Sequence, residues 1–254
     1  ELVKPVAERS VDVKVNASAV YPYDILKGRF STSGMHINKT ELDHIQAQWD
    51  ALPNYVGDGN VLPLVDVSGS MSCPAGAGSK LTCLDVAVSL GLYLADKNTG
   101  KFKDTFLTFS SNPELLHLKG NINQKLDQMV RSSWQMSTNL HKAFDKILST
   151  AVAGNVSEAE MPKMLLILSD MQFNQCVNHD DTAMQMIARK YQEAGYELPK
   201  VVFWNLNASY GNSPVKFDKS GTALVSGFSP AVVKPLLSGD LDGFTPESVM
   251  LKTI

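Results

Sequence analysis

The residues with the clearest capacity for chemistry are Asp66-Val67-Ser68-Gly69-Ser70, directly after the apolar run Val61-Leu62-Pro63-Leu64-Val65. A carboxylate and two hydroxyls at alternate positions, in a turn made tight by Gly69, can bring three oxygens onto one point. Oxygen ligands carrying little charge suit a hard six-coordinate cation such as Mg²⁺, which keeps part of its water. Two further segments carry suitable oxygens. Ser137-Thr138-Asn139 precedes a helical pattern starting at Leu140, and Ser169-Asp170 closes the run Met164-Leu165-Leu166-Ile167-Leu168. Taken alone, Thr138 reads as a helix N-cap and Asp170 as a strand-end turn residue. Together with Asp66 they predict three loops meeting at one edge of a sheet.

The elements that would position them follow from periodicity. Apolar runs at Val61–Val65, Thr105–Phe109, Met164–Leu168, Val201–Trp204 and Ala223–Val225 read as strands. Between them, Leu84–Asp96, Leu140–Ala153, Asp181–Ala194 and Pro230–Leu237 repeat apolar residues at three and four positions, as helices packed on a sheet require. The expected fold is α/β: a doubly wound, mostly parallel sheet flanked by helices, with ligands at the carboxyl ends of its strands. Residues 1–56 read as an N-terminal extension, a possible remnant of a missing preceding domain, and residues 57–254 as the α/β domain. Within the extension, Glu41–Leu52 reads as a helix capped by Thr40.

The three-part pattern resembles the metal-ion-dependent adhesion site of von Willebrand factor A domains over roughly residues 58 to 238. The resemblance implies a Rossmann-like fold and a site for Mg²⁺ or Mn²⁺. Asp66, Ser68 and Ser70 would come from the first loop, Thr138 from the second, and Asp170 from the third, often through water. It also implies a protein partner whose Asp or Glu carboxylate completes the metal shell. A closer likeness is to the A domain of Ro-type ribonucleoproteins and to a related plant, fungal and viral family. It rests on Leu64-Val65-Asp66-Val67-Ser68-Gly69-Ser70-Met71, Leu168-Ser169-Asp170-Met171-Gln172-Phe173, Val202-Phe203-Trp204-Asn205-Leu206 and Leu224-Val225-Ser226-Gly227-Phe228-Ser229. Ro-type proteins bind small structured RNAs mainly through a preceding ring of helical repeats. RNA binding is therefore expected only through a helical domain that this sequence lacks.

Other readings compete. Haloacid-dehalogenase-like hydrolases also place aspartates after two strands, but their general acid lies two positions beyond the first, where Ser68 stands here. No histidine and carboxylate accompany Ser68 or Ser70 as a hydrolase triad would need, so no catalytic residue is assigned. A scaffold subunit with a non-functional metal loop is the third reading. Cys73, Cys83, Cys176 and His179 follow the two aspartate loops; a zinc pair or a Cys73–Cys83 disulfide is conceivable, and free thiols are the expectation. His141, Gln172, Asn174, Asn205 and Ser229 are candidates for the rim.

The bulk composition agrees with this modest chemistry. Of 254 residues, 44% are hydrophobic and 19% charged, and the net charge is −3. Scattered lysines and arginines give no basic stripe for a nucleic acid or a membrane surface. Three cysteines make no disulfide framework, and no apolar run approaches the roughly 20 residues that span a bilayer. A cytoplasmic protein without membrane contact is expected.

Overall fold

The computed structural model describes residues 20–27, 29, 39–56, 60–75, 79–108, 110–132, 140–170, 181–207 and 222–227. Two helices come first, α1 (Pro22–Leu26) and α2 (Lys39–Asp50), then β1 (Val61–Val65) and α3 (Cys83–Lys97). A hairpin pair, β2 (Thr105–Thr108) and β3 (Leu115–His117), leads to α4 (Ile122–Arg131) and α5 (Leu140–Ala153). The chain continues through β4 (Met164–Ser169), α6 (Asp181–Glu193), β5 (Lys200–Asn205) and β6 (Thr222–Ser226).

The strands form one six-stranded sheet in the order β3-β2-β1-β4-β5-β6. Every pairing is parallel except β2 with β3. The chain winds outward from β1 to one edge and then returns to lay β4 on the other side of β1. That reversal creates a switch point between β1 and β4, the place where an open α/β sheet presents its ligand crevice. This is the von Willebrand A-like, Rossmann-like arrangement expected from the sequence.

Strand periodicity assigns the two faces. Val61, Val65, Leu166, Leu168, Val202 and Trp204 share one buried cluster with α1, α2, α3 and α4. Leu62, Leu64, Leu165, Ile167, Val201 and Phe203 share the other with α5 and α6. Because both faces are covered, β1 and β4 are buried along their whole length, which is why they read as continuous apolar runs. Pro63 stands inside β1 without an N–H to donate. The ladder to β2 begins only beyond it, at Leu64, while the ladder to β4 runs from Val61 to Val65.

The described part of the N-terminal segment enters this core. Tyr23, Ile25, Leu26, Ile45 and Trp49 are buried with α3, the Trp49 indole N–H donates to Asp96 (3.1 Å), and Gln46 accepts the Ile122 N–H (2.8 Å). Helix α2 begins at Lys39, so Thr40 lies within its first turn and is not its cap. Helix α3 is fixed by a reciprocal cap: Thr82 Oγ1 accepts the Asp85 N–H (3.0 Å) while Asp85 accepts the Thr82 N–H (2.9 Å). Its Gly91 lets α3 lie against β1, since a Cβ there would stand 2.3 Å from Val65 Cγ2.

Candidate metal centre

Strand register builds the floor of the site. Val65 pairs with Leu168, and the Asp66 N–H continues the ladder by donating to Leu168 O (2.9 Å). Asp66 thus leaves β1 beside Ser169, with Asp170 one residue beyond the end of β4. Asp66 is 4% and Asp170 1% exposed, so two carboxyl groups are buried at the ends of adjacent strands.

Above them the first loop folds back on itself. Asp66 Oδ1 accepts the Ser68 N–H (2.8 Å), which turns the chain into a short 3₁₀ segment, Gly69–Ser72. That turn sets Ser68 Oγ 2.9 Å from Ser70 Oγ. Both serines are half-exposed. Hydroxyls on the accessible side therefore overlie carboxyls on the buried side. Gly69 is exposed with open space around its Cα.

Two contacts lock the loop to β4. The Ser169 hydroxyl donates to Asp66 Oδ2 (2.7 Å), and the Asp170 N–H donates to the thioether of Met71 (3.1 Å). Met71 is fully buried, so the turn carrying Ser70 is pinned from beneath. Spacing along the chain flags neither contact, because each joins residues about a hundred positions apart. Register alone could have found Ser169, since aligning β1 on β4 sets it beside Asp66.

Burial, the dominant influence, pushes the Asp66 carboxyl above its ordinary range. Hydrogen bonds from the Ser68 backbone, Ser169 and Ser68 pull the other way, and the neighbouring Asp170 pushes it up again. The donors holding Asp66 are all neutral. An ionised carboxylate offers about four lone-pair directions, and Asp66 spends three of them on the Ser68 N–H, the Ser68 hydroxyl and Ser169. The remainder, with the serine oxygens, is a donor set for a hard cation and a poor one for a soft metal. Among the described residues no group of three or more His, Cys, Asp and Glu side chains is gathered, so a metal here would depend on hydroxyl oxygens.

Of the five sequence-predicted ligands, Asp66, Ser68, Ser70 and Asp170 are brought to one strand edge. Thr138 lies outside the described residues, as do the rim candidates Gln172, Asn174 and Ser229 and the proposed zinc partners Cys176 and His179. Asn205 ends β5 and is buried; its Oδ1 accepts the Asn207 N–H (3.0 Å). His141, in the first turn of α5, faces Asp145 (3.2 Å). Cys73 and Cys83 are free thiols. Burial first, and then Cys73, push the Cys83 thiol far up, so Cys83 is an uncharged thiol and not a ready zinc ligand.

The sheet order and the helices on its two faces define a von Willebrand A-like α/β fold. Within that class, the chain belongs to the family described as domain of unknown function DUF7788, whose model matches residues 60–250. It is 32% identical over 249 residues to the uncharacterized protein L728 of Acanthamoeba polyphaga mimivirus, covering 95% of this chain and 41% of that protein. The chain thus spans less than half the length of that relative. Among solved structures it resembles the Deinococcus radiodurans Ro (RSR) protein, with a TM-score of 0.57 and 19% identity over 90% of this chain and 47% of that one. At that identity the likeness speaks for the fold. Among the described residues no helix is long and apolar enough to cross a membrane.

Proposed function

We propose that this domain is a divalent-metal-dependent docking module, in which Asp66, Ser68 and Ser70 hold Mg²⁺ or Mn²⁺ with Asp170 in the outer shell. Thr138 is the ligand from the second loop. The observation that carries the reading is the layering at the β1–β4 switch point: two buried carboxyls beneath two hydroxyls only 2.9 Å apart.

Burying an ionised carboxylate costs several kcal/mol unless a counter-charge is near. The described donors to Asp66 are neutral, and a dication seated on the serine oxygens would offset that cost. The ion would supply an electrophilic point at the sheet edge, because three hydroxyls and one directly bound carboxylate leave its charge incompletely matched. The chain's residues do the positioning. Ser169 and the Ser68 N–H orient Asp66, Met71 fixes the height of the Ser70 turn, and the half-exposed serines leave one side open. An Asp or Glu carboxylate of a protein partner would displace a water on that side. With Ser68 two positions after Asp66, the loop lacks the acid a phosphoryl-transferring aspartate needs, which favours docking over hydrolysis.

Water-proton relaxation with Mn²⁺ as the probe tests this reading. The chain should enhance relaxation, and a short glutamate-containing peptide should lower the enhancement by displacing metal-bound water. Enhancement that survives both Asp66→Ala and Thr138→Ala would remove the site, and enhancement indifferent to carboxylate would remove the docking role.

A further inference from the structure

Just beyond the metal loop, the chain turns back on itself in a small antiparallel ladder. Pro74 faces Thr82, the Ala75 N–H donates to Leu81 O (2.8 Å), and the Cys83 N–H donates to Cys73 O (2.9 Å). Cys73 and Cys83 are therefore cross-strand neighbours, and their sulfurs stand 3.5 Å apart. Cross-strand partners of this kind hold their Cα atoms about 5.5 Å apart, inside the range a disulfide spans. Closing the bond needs the sulfurs to approach by about 1.5 Å.

We propose that Cys73 and Cys83 form a reversible disulfide that resets the loop carrying Ser70. Cys73 is half-exposed and Cys83 buried at the start of α3, so an incoming oxidant meets Cys73 first. The oxidant is a low-molecular-weight disulfide, such as glutathione disulfide. The Cys73 sulfur gives its proton to water and attacks one sulfur of the oxidant, and the departing thiolate takes up a proton. The Cys83 thiol, neutral until then, attacks Cys73 Sγ, and the proton it loses is taken up by the thiolate it expels. The protein loses two protons and two electrons, and the oxidant, taking up both, becomes two thiols.

The loop must respond because Cys73 is held from two other directions. Its sulfur accepts a hydrogen bond from Asn207 Nδ2 (3.3 Å), and its N–H donates to Ser70 O (3.1 Å). Drawing Cys73 toward α3 stretches the tie to Asn207, two residues beyond β5, and pulls on Ser70. The reduced pair leaves Ser70 beside Ser68; the oxidised pair moves it. The bearing of this on metal affinity rests on the reading proposed above, whereas the bond and the loop shift do not.

The experiment uses the full chain carrying Cys176→Ser, equilibrated in glutathione buffers of graded poise. Mass spectrometry under denaturing conditions should show loss of two hydrogens, mapped to the peptides holding Cys73 and Cys83 and reversed by dithiothreitol. Amide exchange over residues 66–73 should differ between the oxidised and reduced forms. Cys73→Ser and Cys83→Ser should abolish both changes. Three results would overturn the inference: both thiols still alkylating at a poise that oxidises thioredoxin, a stable glutathione adduct on Cys73 without an internal bond, or a bond that leaves exchange over residues 66–73 unchanged. Failure of the metal reading shows separately, as a reduced chain that takes up no Mn²⁺ while the disulfide and the exchange shift remain.

Discussion

The Ser169 hydroxyl donates to Asp66 Oδ2 across 2.7 Å, joining residues 103 positions apart at the ends of β4 and β1. The aspartate on which the metal reading depends is thus aimed by the neighbouring strand and not by its own loop alone. Ser169→Ala should lower stability by about 1–3 kcal/mol, the cost of stripping a buried charged acceptor of a donor. Urea unfolding in EDTA measures this. The same variant should bind Mn²⁺ more weakly than the parent, with the fold retained.

Asp66→Asn should behave in the opposite sense where stability is concerned. It removes one of two buried carboxylates from a crowded strand edge, keeps an oxygen to accept the Ser68 N–H, and sets an NH2 against Ser169, whose hydroxyl can turn to accept where it had donated to Oδ2. Thermal unfolding of the metal-free variant at neutral pH should show a midpoint equal to or above the parent's. A large drop would mean that the carboxylate itself holds the fold together, through a contact other than those described.

Gly91 controls how closely α3 approaches the strand that delivers Asp66. Gly91→Ala places a methyl group 2.3 Å from Val65 Cγ2 and should destabilise by about 1–3 kcal/mol through overpacking. Combining it with Val65→Ala should recover part of that loss, because the added methyl then occupies the space vacated. Strictly additive penalties in urea unfolding would show that the two side chains do not compete for one space.

Lys125 bridges Asp96 and Asp104 with 2.6 Å contacts to each, at side-chain exposures of 12%, 20% and 19%. Burial alone would raise the Asp96 carboxyl, but the hydrogen bond and charge of Lys125 outweigh it, helped by Lys97 and Trp49, and hold it below its ordinary range. Burial alone would lower the Lys125 ammonium, but its two carboxylate partners hold it above its ordinary range. The Asp96 contribution is therefore present above the unfolded carboxyl value, about 3.9, and is lost as pH falls through its depressed value. The Lys125 contribution is present below its unfolded value, about 10.4, and is lost as pH rises through its elevated one. Lys125→Met should cost about 1–3 kcal/mol at neutral pH, between the limits for exposed and buried pairs. It should also flatten the acid limb of a stability-versus-pH curve from thermal unfolding.

Strand positions were legible because β1, β4 and β5 are buried on both faces and leave unbroken apolar runs. β3 was not: three residues, Leu115–His117, at the sheet edge are too few to show a period. Helix α4 was hidden by its composition, since only Ile122, Leu126 and Met129 supply its described core contacts among polar neighbours. Trp49 was legible as a core residue from its type alone, whereas the contribution of Tyr23 and Ile25 was hidden because their partners lie on α3, far along the chain. At the site, the first-loop oxygens were legible because alternate spacing in a tight turn is local information. The supports under them, Ser169 and Met71, depend on which strand lies beside which, and no local spacing carries that.

Isothermal calorimetry of Mg²⁺ and Mn²⁺ binding to the EDTA-stripped full chain, beside its Asp66→Ala variant, tests the central claim most directly. The account predicts saturable uptake of a single ion by the parent chain, absent from the variant while its thermal unfolding remains cooperative. An absence of uptake by the parent, or equal affinity in the well-folded variant, would contradict it.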